Sequence, residues 1–501
     1  MGCGACAAIC SQTNNVQLNM WRRVFDCGIM GQPEKQRMLL PLSCMHCNKA
    51  PCKEVCPTTA TYSRPDKTID INYELCIGCG HCIVACPYHA RTIVFNKNDN
   101  YDAEVTSREL ERSNSNSNDI GVSKKCNFCL PRVDKGLKNG LKPGIDSEAS
   151  PMCVNSCSSE ALYFGDLDDP NSKISCLIRE NKTVRLQEEL GTDPSIYYLI
   201  NDTDSEDRKI ESMQLIKPKK LEVWKWPAVV NFTLGGMATG FYLICLFITT
   251  FNSNFFAVSQ FDKSKLLAPI MIVMGFLILT LEAGRPLRVI YLLNNLGSSW
   301  MSREVLAGAV FIMASTIECF WPHTMLRIIA AVAALGFMIS QGFIVYSARA
   351  VIAWNVPLIP LFFIASGFTL GEGLVLLITA IGRMDIGVDV IVIGLIFLVL
   401  DLLLWVIYLR SPNNLAFREV TEKMRRSINL VLTVGIGHIL PIMLLFLLVF
   451  KDDMGVISKR IVLIFVGVAI IFAGILQKRG VILGANYLRG IFIGQPRYMY
   501  S

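Results

Sequence analysis

The sequence has few charged residues and little histidine. Of its 501 residues 18% are Asp, Glu, Lys or Arg, five are His and 52% are hydrophobic, which is too apolar for an average soluble protein. Long apolar runs are nevertheless missing before about Trp224, and after Cys176 only Cys245 and Cys319 remain of the cysteines. The chain therefore has a cysteine-rich half and an apolar half. Its net charge of +7 is modest, so nucleic acid is not indicated as a partner.

The spacing of the 19 cysteines does not fit a disulfide scaffold. Repeated Cys-x2-Cys pairs favour metal coordination, and structural zinc sites rarely use four-cysteine runs that end in proline. The clearest run is Cys76-x2-Cys79-x2-Cys82-x3-Cys86-Pro87. This is the spacing with which bacterial ferredoxins bind cubane iron–sulfur clusters.

Three further groups of cysteines follow related patterns. They are Cys3-x2-Cys6-x3-Cys10, Cys44-x2-Cys47-x4-Cys52-x3-Cys56-Pro57, and Cys126-x2-Cys129 with Cys153-x3-Cys157. The four groups supply one cysteine fewer than four cubanes need. The first group lacks only the first cysteine of such a run, which would lie immediately upstream of Met1. We therefore expect that the sequence is truncated or that its start is misassigned. The alternative is a genuine three-cysteine site, which holds a three-iron cluster or recruits Cys27.

The pairing of these cysteines follows from the ferredoxin rule that the fourth cysteine of a run binds the other cluster of a pair. We name the expected ligand groups set I (Cys44, Cys47, Cys52, Cys86), set II (Cys56, Cys76, Cys79, Cys82), set III (Cys10, Cys126, Cys129, Cys153) and set IV (Cys3, Cys6, Cys157 and the missing residue). The sequence thus predicts two double-cluster modules that carry electrons. Cys27 and Cys176 fit no set and are expected to be buried free thiols. The nearby histidines are expected to tune cluster potentials or to lie on the surface rather than to bind iron: His46, His81 and His89.

The composition changes again at the boundary between the two halves. An acidic stretch with Asp202 and Glu206 is followed by a basic one with Lys217 and Lys219. We therefore expect an iron–sulfur domain at 1–200, a charged linker at 201–224 and a membrane domain at 225–501. A polar insert at about 96–123 is expected to be a solvated loop.

Eight apolar segments are long enough to cross a bilayer. They lie at about 226–250, 266–283, 304–321, 326–348, 356–380, 388–409, 428–450 and 460–477. Eight in succession are not expected as buried helices of a soluble protein, and an even number places both termini on one side. Lys and Arg are more frequent in the links on the side of the cysteine-rich half, which favours its location on the cytoplasmic face of the plasma membrane.

Ionisable residues within or beside these segments are candidates for function, since their burial in a membrane is costly. Glu282, Arg288 and Glu304 lie at the face next to the cysteine-rich half. A carboxylate there could accept a proton from a quinol, and an arginine could stabilise a developing quinolate. The alternative is a salt-bridge cluster that anchors helix ends.

Three ionisable residues are expected deeper in the membrane half, in its fifth to seventh segments. They are Glu372, Asp401 and His438. They could form a proton path or purely structural hydrogen bonds between helices. Glu318 and His323 are expected to be solvated at the far face.

The cysteine groups resemble the electron-transfer subunit of dimethyl-sulfoxide-reductase-type molybdoenzymes. The membrane half resembles the eight-span anchor subunit of the same enzymes in Trp226-Pro227, Gly284-Arg-Pro-Leu-Arg288, Ser302-Arg-Glu304 and Ala353-Trp-Asn355 with Pro357. The resemblance implies a fusion of these two subunits. Its fold would be an α+β, ferredoxin-like double-module iron–sulfur domain followed by an all-α eight-helix transmembrane bundle.

The resemblance also implies a route for electrons in anaerobic respiration. Menaquinol from the membrane quinone pool would be oxidised at the anchor, and four [4Fe-4S] clusters would carry electrons to a separate molybdopterin subunit. Arg288 and Glu304 match the family's quinol site, whereas Glu282 stands where the family has a histidine. Polysulfide and tetrathionate reductase systems share the cysteine motifs. Two other functions stay open: a proton-translocating quinone-coupled module, and a membrane-tethered ferredoxin with a structural anchor.

Overall fold

The chain folds into two compact units, each of which is drawn from separate parts of the sequence. The computed structural model describes residues 2–16, 18–30, 36–95, 120–199, 213–221, 223–251, 263–383, 387–410, 415–450 and 455–493. The first unit consists of 1–219, 287–289 and 488–501, and the second of 220–286 and 290–487. The domain limits 1–200, 201–224 and 225–501 stay predictions. Most of the polar insert and the acidic part of the linker lie outside the described residues.

Short helices and two-stranded antiparallel sheets build the first unit. Its helices are α1 (Ala5–Asn14), α2 (Pro51–Glu54), α3 (His81–Ala85), α4 (Leu130–Lys138), α5 (Met152–Asn155) and α6 (Lys173–Glu180). Its strand pairs are β1 (Arg23–Met30) with β2 (Gln36–Leu42), β3 (Thr61–Ser63) with β4 (Ile69–Ile71), β5 (Thr92–Ile93) with β6 (Ser123–Lys124), β7 (Thr183–Val184) with β8 (Tyr198–Leu199), and β9 (Met213–Ile216) with β12 (Ile491–Ile493). This mixture is compatible with an α+β domain. A ferredoxin-like topology stays a prediction.

The last of these strands comes from the far end of the sequence. Ile491 of β12 pairs with Ile216 of β9, and Ile493 pairs with Met213. The first unit therefore includes a segment that follows all the long apolar helices in the chain, which composition alone did not indicate.

Long helices build the second unit. They are α7 (Trp226–Phe251), α8 (Leu267–Leu279), α9 (Trp300–Phe320), α10 (Thr324–Tyr346), α11 (Leu358–Gly382), α12 (Val388–Arg410), α16 (Leu440–Phe450) and α17 (Val456–Arg479). The short helices α13 (Leu415–Val420), α14 (Glu422–Arg425) and α15 (Ser427–Leu430) lie between them. Two π-helical stretches, Val431–Ile439 and Gly480–Gly484, continue α15 and α17. The strands β10 (Lys219–Lys220) and β11 (Tyr487–Leu488) lie at the limits of the unit.

The eight predicted membrane segments all contain helix, but their number as membrane spans is not confirmed. Among the described residues, six helices are long and apolar enough to cross a bilayer. A seventh candidate is broken: Leu267–Glu282 and Pro286–Asn295 meet at an angle of 109°. The remaining predicted segment forms α9, which has 21 residues and carries Arg303, Glu304 and Glu318. The chain is a multi-pass membrane protein, and the eight spans stay a prediction.

Glycine pairs let two of the helices approach closely. Gly236 and Gly240 lie on α7, and Gly367 and Gly371 lie on α11. A methyl group added at Gly240 would come within 2.1 Å of the Gly367 carbonyl oxygen, and one at Gly371 within 2.3 Å of the Gly240 carbonyl carbon. Small residues four apart are typical of tight helix packing in membranes.

Candidate electron-transfer and quinol sites

The Cys-x2-Cys loops share one backbone feature. The residue before the second cysteine has a positive φ in three of them: 42° at His46, 69° at Gly78 and 58° at Phe128. Only glycine adopts this conformation without strain. The rings of His46 and Phe128 stack with centroids 3.7 Å apart, and this packing holds two strained residues in place.

The first cysteine group matches part of the central run in local conformation. Gly4, after Cys3, has φ 74° and ψ −1°, and Gly80, after Cys79, has φ 75° and ψ −3°. Each glycine is followed by a helix that carries the next cysteine, α1 or α3. Cys3 and Cys6 thus occupy the same local positions as Cys79 and Cys82.

The thiols of set I lie close together. Burial, together with the neighbouring thiolates of Cys44, Cys86 and Cys52, raises the pKa of the Cys47 thiol above its ordinary value. The structure therefore gathers the four cysteines that the spacing rule places in this set.

Sets II and III are gathered in the same way. Burial and the thiolates of Cys82, Cys56 and Cys76 raise the pKa of Cys79. Burial and the thiolates of Cys126, Cys153 and Cys129 raise the pKa of Cys10. Thiolates that lie this close repel one another and need a cation to compensate their charge, so this donor set fits iron.

Set IV is not gathered to the same extent. Cys3 is exposed, and Cys6 and Cys157 are half-buried. Helix α1, which carries Cys6, packs against α5, which precedes Cys157. The cluster ligation of all four sets stays a prediction.

Several cysteine sulfurs accept hydrogen bonds, as sulfurs of cluster ligands do. The Thr61 amide donates to Cys56 Sγ over 3.4 Å, the Ser123 amide to Cys76 Sγ over 3.5 Å, and the Ala161 amide to Cys157 Sγ over 3.3 Å. These donors stabilise thiolates rather than thiols, so the surroundings of the cysteines also fit iron–sulfur clusters.

All 19 cysteines lie within the described residues, and no disulfide bond joins any of them there. The described residues contain no group of three His, Cys, Asp or Glu side chains that could hold a single metal ion. A cubane differs from such a site because its four ligands are single cysteines on different irons. Cys27 and Cys176 are half-buried rather than buried.

Two of the nearby histidines, His46 and His89, form hydrogen bonds with the backbone through their rings. His46 Nδ1 accepts from the Ile69 amide over 3.1 Å, and His46 Nε2 lies 3.1 Å from the Cys126 carbonyl oxygen. Burial lowers the pKa of His46, so the ring is neutral and Nε2 is its donor. Burial also lowers the pKa of His89, to about 4, and its Nε2 lies 2.9 Å from the Arg489 carbonyl oxygen.

The three residues predicted for quinol chemistry have different partners. In the first unit, Arg288 Nη1 donates to the carbonyl oxygens of Tyr73 and Cys76 over 2.5 and 3.0 Å. In the second unit, Glu282 Oε1 accepts from the Lys225 amide. Glu304 bonds to neither Glu282 nor Arg288. A salt-bridge cluster of these three residues is therefore absent from the described contacts.

Glu304 is the best-defined candidate of the three. It lies near the start of α9, is 2% exposed, and accepts hydrogen bonds from Gln341 Nε2 over 3.1 Å and from Asn231 Nδ2 over 3.4 Å. Gly235 leaves the space for Gln341, because an added methyl group would lie 2.5 Å from its Nε2. Sequence reasoning missed Asn231 and Gln341, since a neutral amide within an apolar run carries no charge signal.

A groove of about 540 Å³ runs along α9 and α10. Its lining is apolar apart from Arg303 and Ser340, and includes Trp300. Arg303 lies over the Trp300 ring at 4.3 Å, and Trp300 stacks on Phe343 at 4.3 Å. Glu282, Arg288 and Glu304 do not line this groove.

Glu318 is not solvated, contrary to the sequence-based expectation. It is 2% exposed and pairs with Lys265 over 3.4 Å and with Arg327 over 3.0 Å. Lys265 is 0% exposed. A carboxylate at a helix end is buried here because two cations from neighbouring segments compensate its charge.

The predicted deep residues are buried, and a lysine joins them. Asp401 Oδ2 lies 2.9 Å from His438 Nε2, and His438 belongs to the π-helical stretch. Lys478 interacts electrostatically with Asp401 and lies 3.3 Å from the ring centroid of Phe363. Within the described part of the chain, the two carboxylate oxygens of Glu372 form no hydrogen bond. Lys478 Nζ forms none there either.

Comparisons with known proteins agree with both halves of the chain. The family model described as polysulphide reductase, NrfD matches residues 214–321, and the model of a 4Fe-4S binding domain matches residues 69–92. A dimethyl sulfoxide reductase iron–sulfur protein of Halobacterium salinarum is 37% identical over 43% of this chain and 80% of its own length. The chain belongs to this family of iron–sulfur subunits.

Other members of the iron–sulfur subunit family are similar over the same extent. A selenate reductase subunit of Mesobacillus selenatarsenatis is 36% identical over 40% of this chain and 68% of its own length. An iron–sulfur subunit of the Hdr-like menaquinol oxidoreductase of Archaeoglobus fulgidus is 37% identical over 38% of this chain and 71% of its own length. The chain is thus an iron–sulfur electron-transfer subunit fused to an NrfD-type membrane anchor, as the resemblance implied.

Proposed function

We propose that this fusion oxidises menaquinol at its membrane anchor and passes the electrons to a separate molybdopterin subunit. The proposal thus includes the direction of electron flow, from menaquinol to the partner, and the identity of that partner as a molybdopterin subunit. The iron–sulfur unit would face the cytoplasm, on the strength of the lysine and arginine distribution. A partner that reduces polysulfide or tetrathionate instead of dimethyl sulfoxide would use the same route.

The gathered thiols support the electron-transfer part of the proposal. Sets I to III each bring cysteines from distant parts of the sequence together, and sets I to IV would hold four [4Fe-4S] clusters. Bound clusters would supply one-electron carriers, whose potentials depend on charge and on hydrogen bonds to sulfur.

The surroundings of Glu304 are the observation that supports quinol oxidation at the membrane anchor. Its two hydrogen-bond donors, Gln341 and Asn231, are neutral amides, so they orient the carboxylate without neutralising its charge. A buried carboxylate of this kind is suited to accept a proton from a quinol hydroxyl. Glu282 would be a second proton acceptor at the position where the family has a histidine.

Anaerobic membranes that contain this chain test the proposal. Addition of a menaquinol analogue should reduce iron–sulfur clusters, measured by electron paramagnetic resonance. Because a general base contributes about 10²–10⁴-fold to a rate, Glu304→Gln should slow this reduction at least about 100-fold while the iron content stays the same.

Glu422→Gln is the matched control, since Glu422 is exposed and pairs loosely with Arg426. It should reduce its clusters at the native rate. If Glu304→Gln also keeps the native rate, the anchor is structural and the quinol site must be abandoned.

The buried ionisable residues of α11, α12, α17 and the π-helical stretch Val431–Ile439 favour proton translocation as a second candidate function. Glu372, Asp401, His438 and Lys478 are each at most 1% exposed, and ionisable groups buried in membranes often mark proton paths. Quinol oxidation in sealed vesicles with a pH-sensitive dye would test this function. Asp401→Asn should abolish proton movement and leave cluster reduction intact; unchanged proton movement would exclude the path.

A further inference from the structure

Two arginines of the first unit lie among the cysteine sets. Arg91 is 3% exposed and donates from Nη2 to Cys52 Sγ over 3.2 Å and from Nη1 to Thr61 Oγ1 over 3.0 Å. Its charge also interacts with Cys44 and Cys86 of set I and with Cys82 of set II. Arg91 therefore lies beside both sets of one module.

Arg22 has the same relation to the other module. It is half-buried and donates from Nη1 to Ser43 Oγ over 3.2 Å. Its guanidinium interacts with the thiolates of Cys153 and Cys126 of set III and forms a hydrogen bond with Cys6 of set IV. Each arginine thus interacts with cysteines of both sets of one module. The sequence does not reveal this similarity, because the two arginines lie at different distances from the nearest cysteine run.

The cost of this burial indicates what the arginines do. The charged partners of both guanidinium groups are cysteines: Arg91 donates to Cys52 Sγ over 3.2 Å, and Arg22 forms a hydrogen bond with Cys6. A buried cation is retained only where negative charge compensates it. Here that negative charge comes from the cysteines rather than from Asp or Glu.

We infer that Arg91 and Arg22 are charge-compensating residues, each of which raises the reduction potentials of the two clusters in its module. This inference rests on the proposed cluster binding. Reduction adds negative charge to a cluster, and a nearby positive charge stabilises that state. The two arginines would keep the reduction potentials of both modules within a range that one electron donor can reduce.

Redox titrations of the full-length protein, followed by electron paramagnetic resonance, test the inference. Arg91→Gln should shift two of the cluster potentials to more negative values and leave the others nearly unchanged. Arg22→Gln should shift the other two. Arg91→Lys and Arg22→Lys keep the charge and should stay close to the native potentials.

Arg64→Gln is the control for a change of net charge, because Arg64 pairs with Asp134 over 2.8 Å and interacts with no cysteine among its recorded partners. It should leave all potentials unchanged. Loss of clusters in the Gln variants but not in the Lys variants would also support a need for the charge. The inference would be overturned if the Gln and Lys variants showed equal shifts in reduction potential, lost clusters to the same extent, or showed no shift in potential. Native protein without clusters would instead refute the proposed function.

Discussion

The two halves of the helical unit differ in how completely their buried carboxylates are paired. In the first half, Glu304 accepts hydrogen bonds from two amides and Glu318 pairs with two cations. In the second half, Asp401 lies 2.9 Å from His438 Nε2, but Glu372 is 1% exposed and has no hydrogen-bond partner among the described residues. Burial of a polar group without a partner costs stability. The first two carboxylates are therefore held by the fold, whereas Glu372 weakens it, as residues retained for function often do.

The largest effect is expected from Glu318→Ala. This change removes the ion pair of Lys265, which is 0% exposed, and loss of one partner of a buried pair costs about 3–5 kcal/mol. Thermal unfolding in detergent would measure the loss. Glu422→Ala, at an exposed pair with a 3.8 Å separation, should cost at most about 1 kcal/mol. If these two variants had equal melting temperatures, the buried ion pair of Glu318 would not stabilise the fold more than the exposed pair of Glu422 does.

A smaller effect is expected from Gly394→Ala, which tests how tightly Glu372 is enclosed. The added methyl group would lie 2.7 Å from Glu372 Cδ, and overpacking costs about 1–3 kcal/mol. Gly435→Ala is the control, since an added methyl group there meets no atom within 4 Å. Both would be measured as free energies of unfolding. The double variant Gly394→Ala with Glu372→Ala should regain the loss; without that recovery, Glu372 is not the cause.

The smallest effect is expected from Gln341→Met, which makes the surroundings of Glu304 more like those of Glu372. Glu304 loses its 3.1 Å donor, so the free energy of unfolding should fall by about 1 kcal/mol. Denaturant titration would measure it. Leu335→Met on the exposed side of α10 should leave it unchanged. An equally stable Gln341→Met variant would show that the amide does not stabilise the buried carboxylate.

The sequence predicted the apolar helices well, because they depend on local patterns. The apolar segment at 388–409 forms Val388–Arg410, and the segment at 428–450 matches helix from Ser427 to Phe450. The fourth-cysteine rule assigns Cys86 to set I and Cys10 to set III. In the structure Cys86 interacts with Cys47 and Cys10 with Cys126, and the ligand sets themselves stay a prediction.

Other features depend on contacts between distant residues and could not be predicted. The 109° bend lies between Glu282 and Pro286, where Gly284 is located, but composition alone does not distinguish a bent apolar segment from a straight one. Arg22 and Arg91 were missed because the sequence does not distinguish an arginine beside cysteine ligands from an arginine on the surface. Lys478 was missed because it lies at the end of an apolar segment, where lysines normally reach water.

The pairing of β12 with β9 has a consequence for biosynthesis. Residues 491–493 leave the ribosome only after the whole membrane half has been translated. The first unit can therefore gain its final strand only after the helices between Trp226 and Arg479 have been made. Completion of the cysteine-rich unit would thus wait for synthesis of the membrane half.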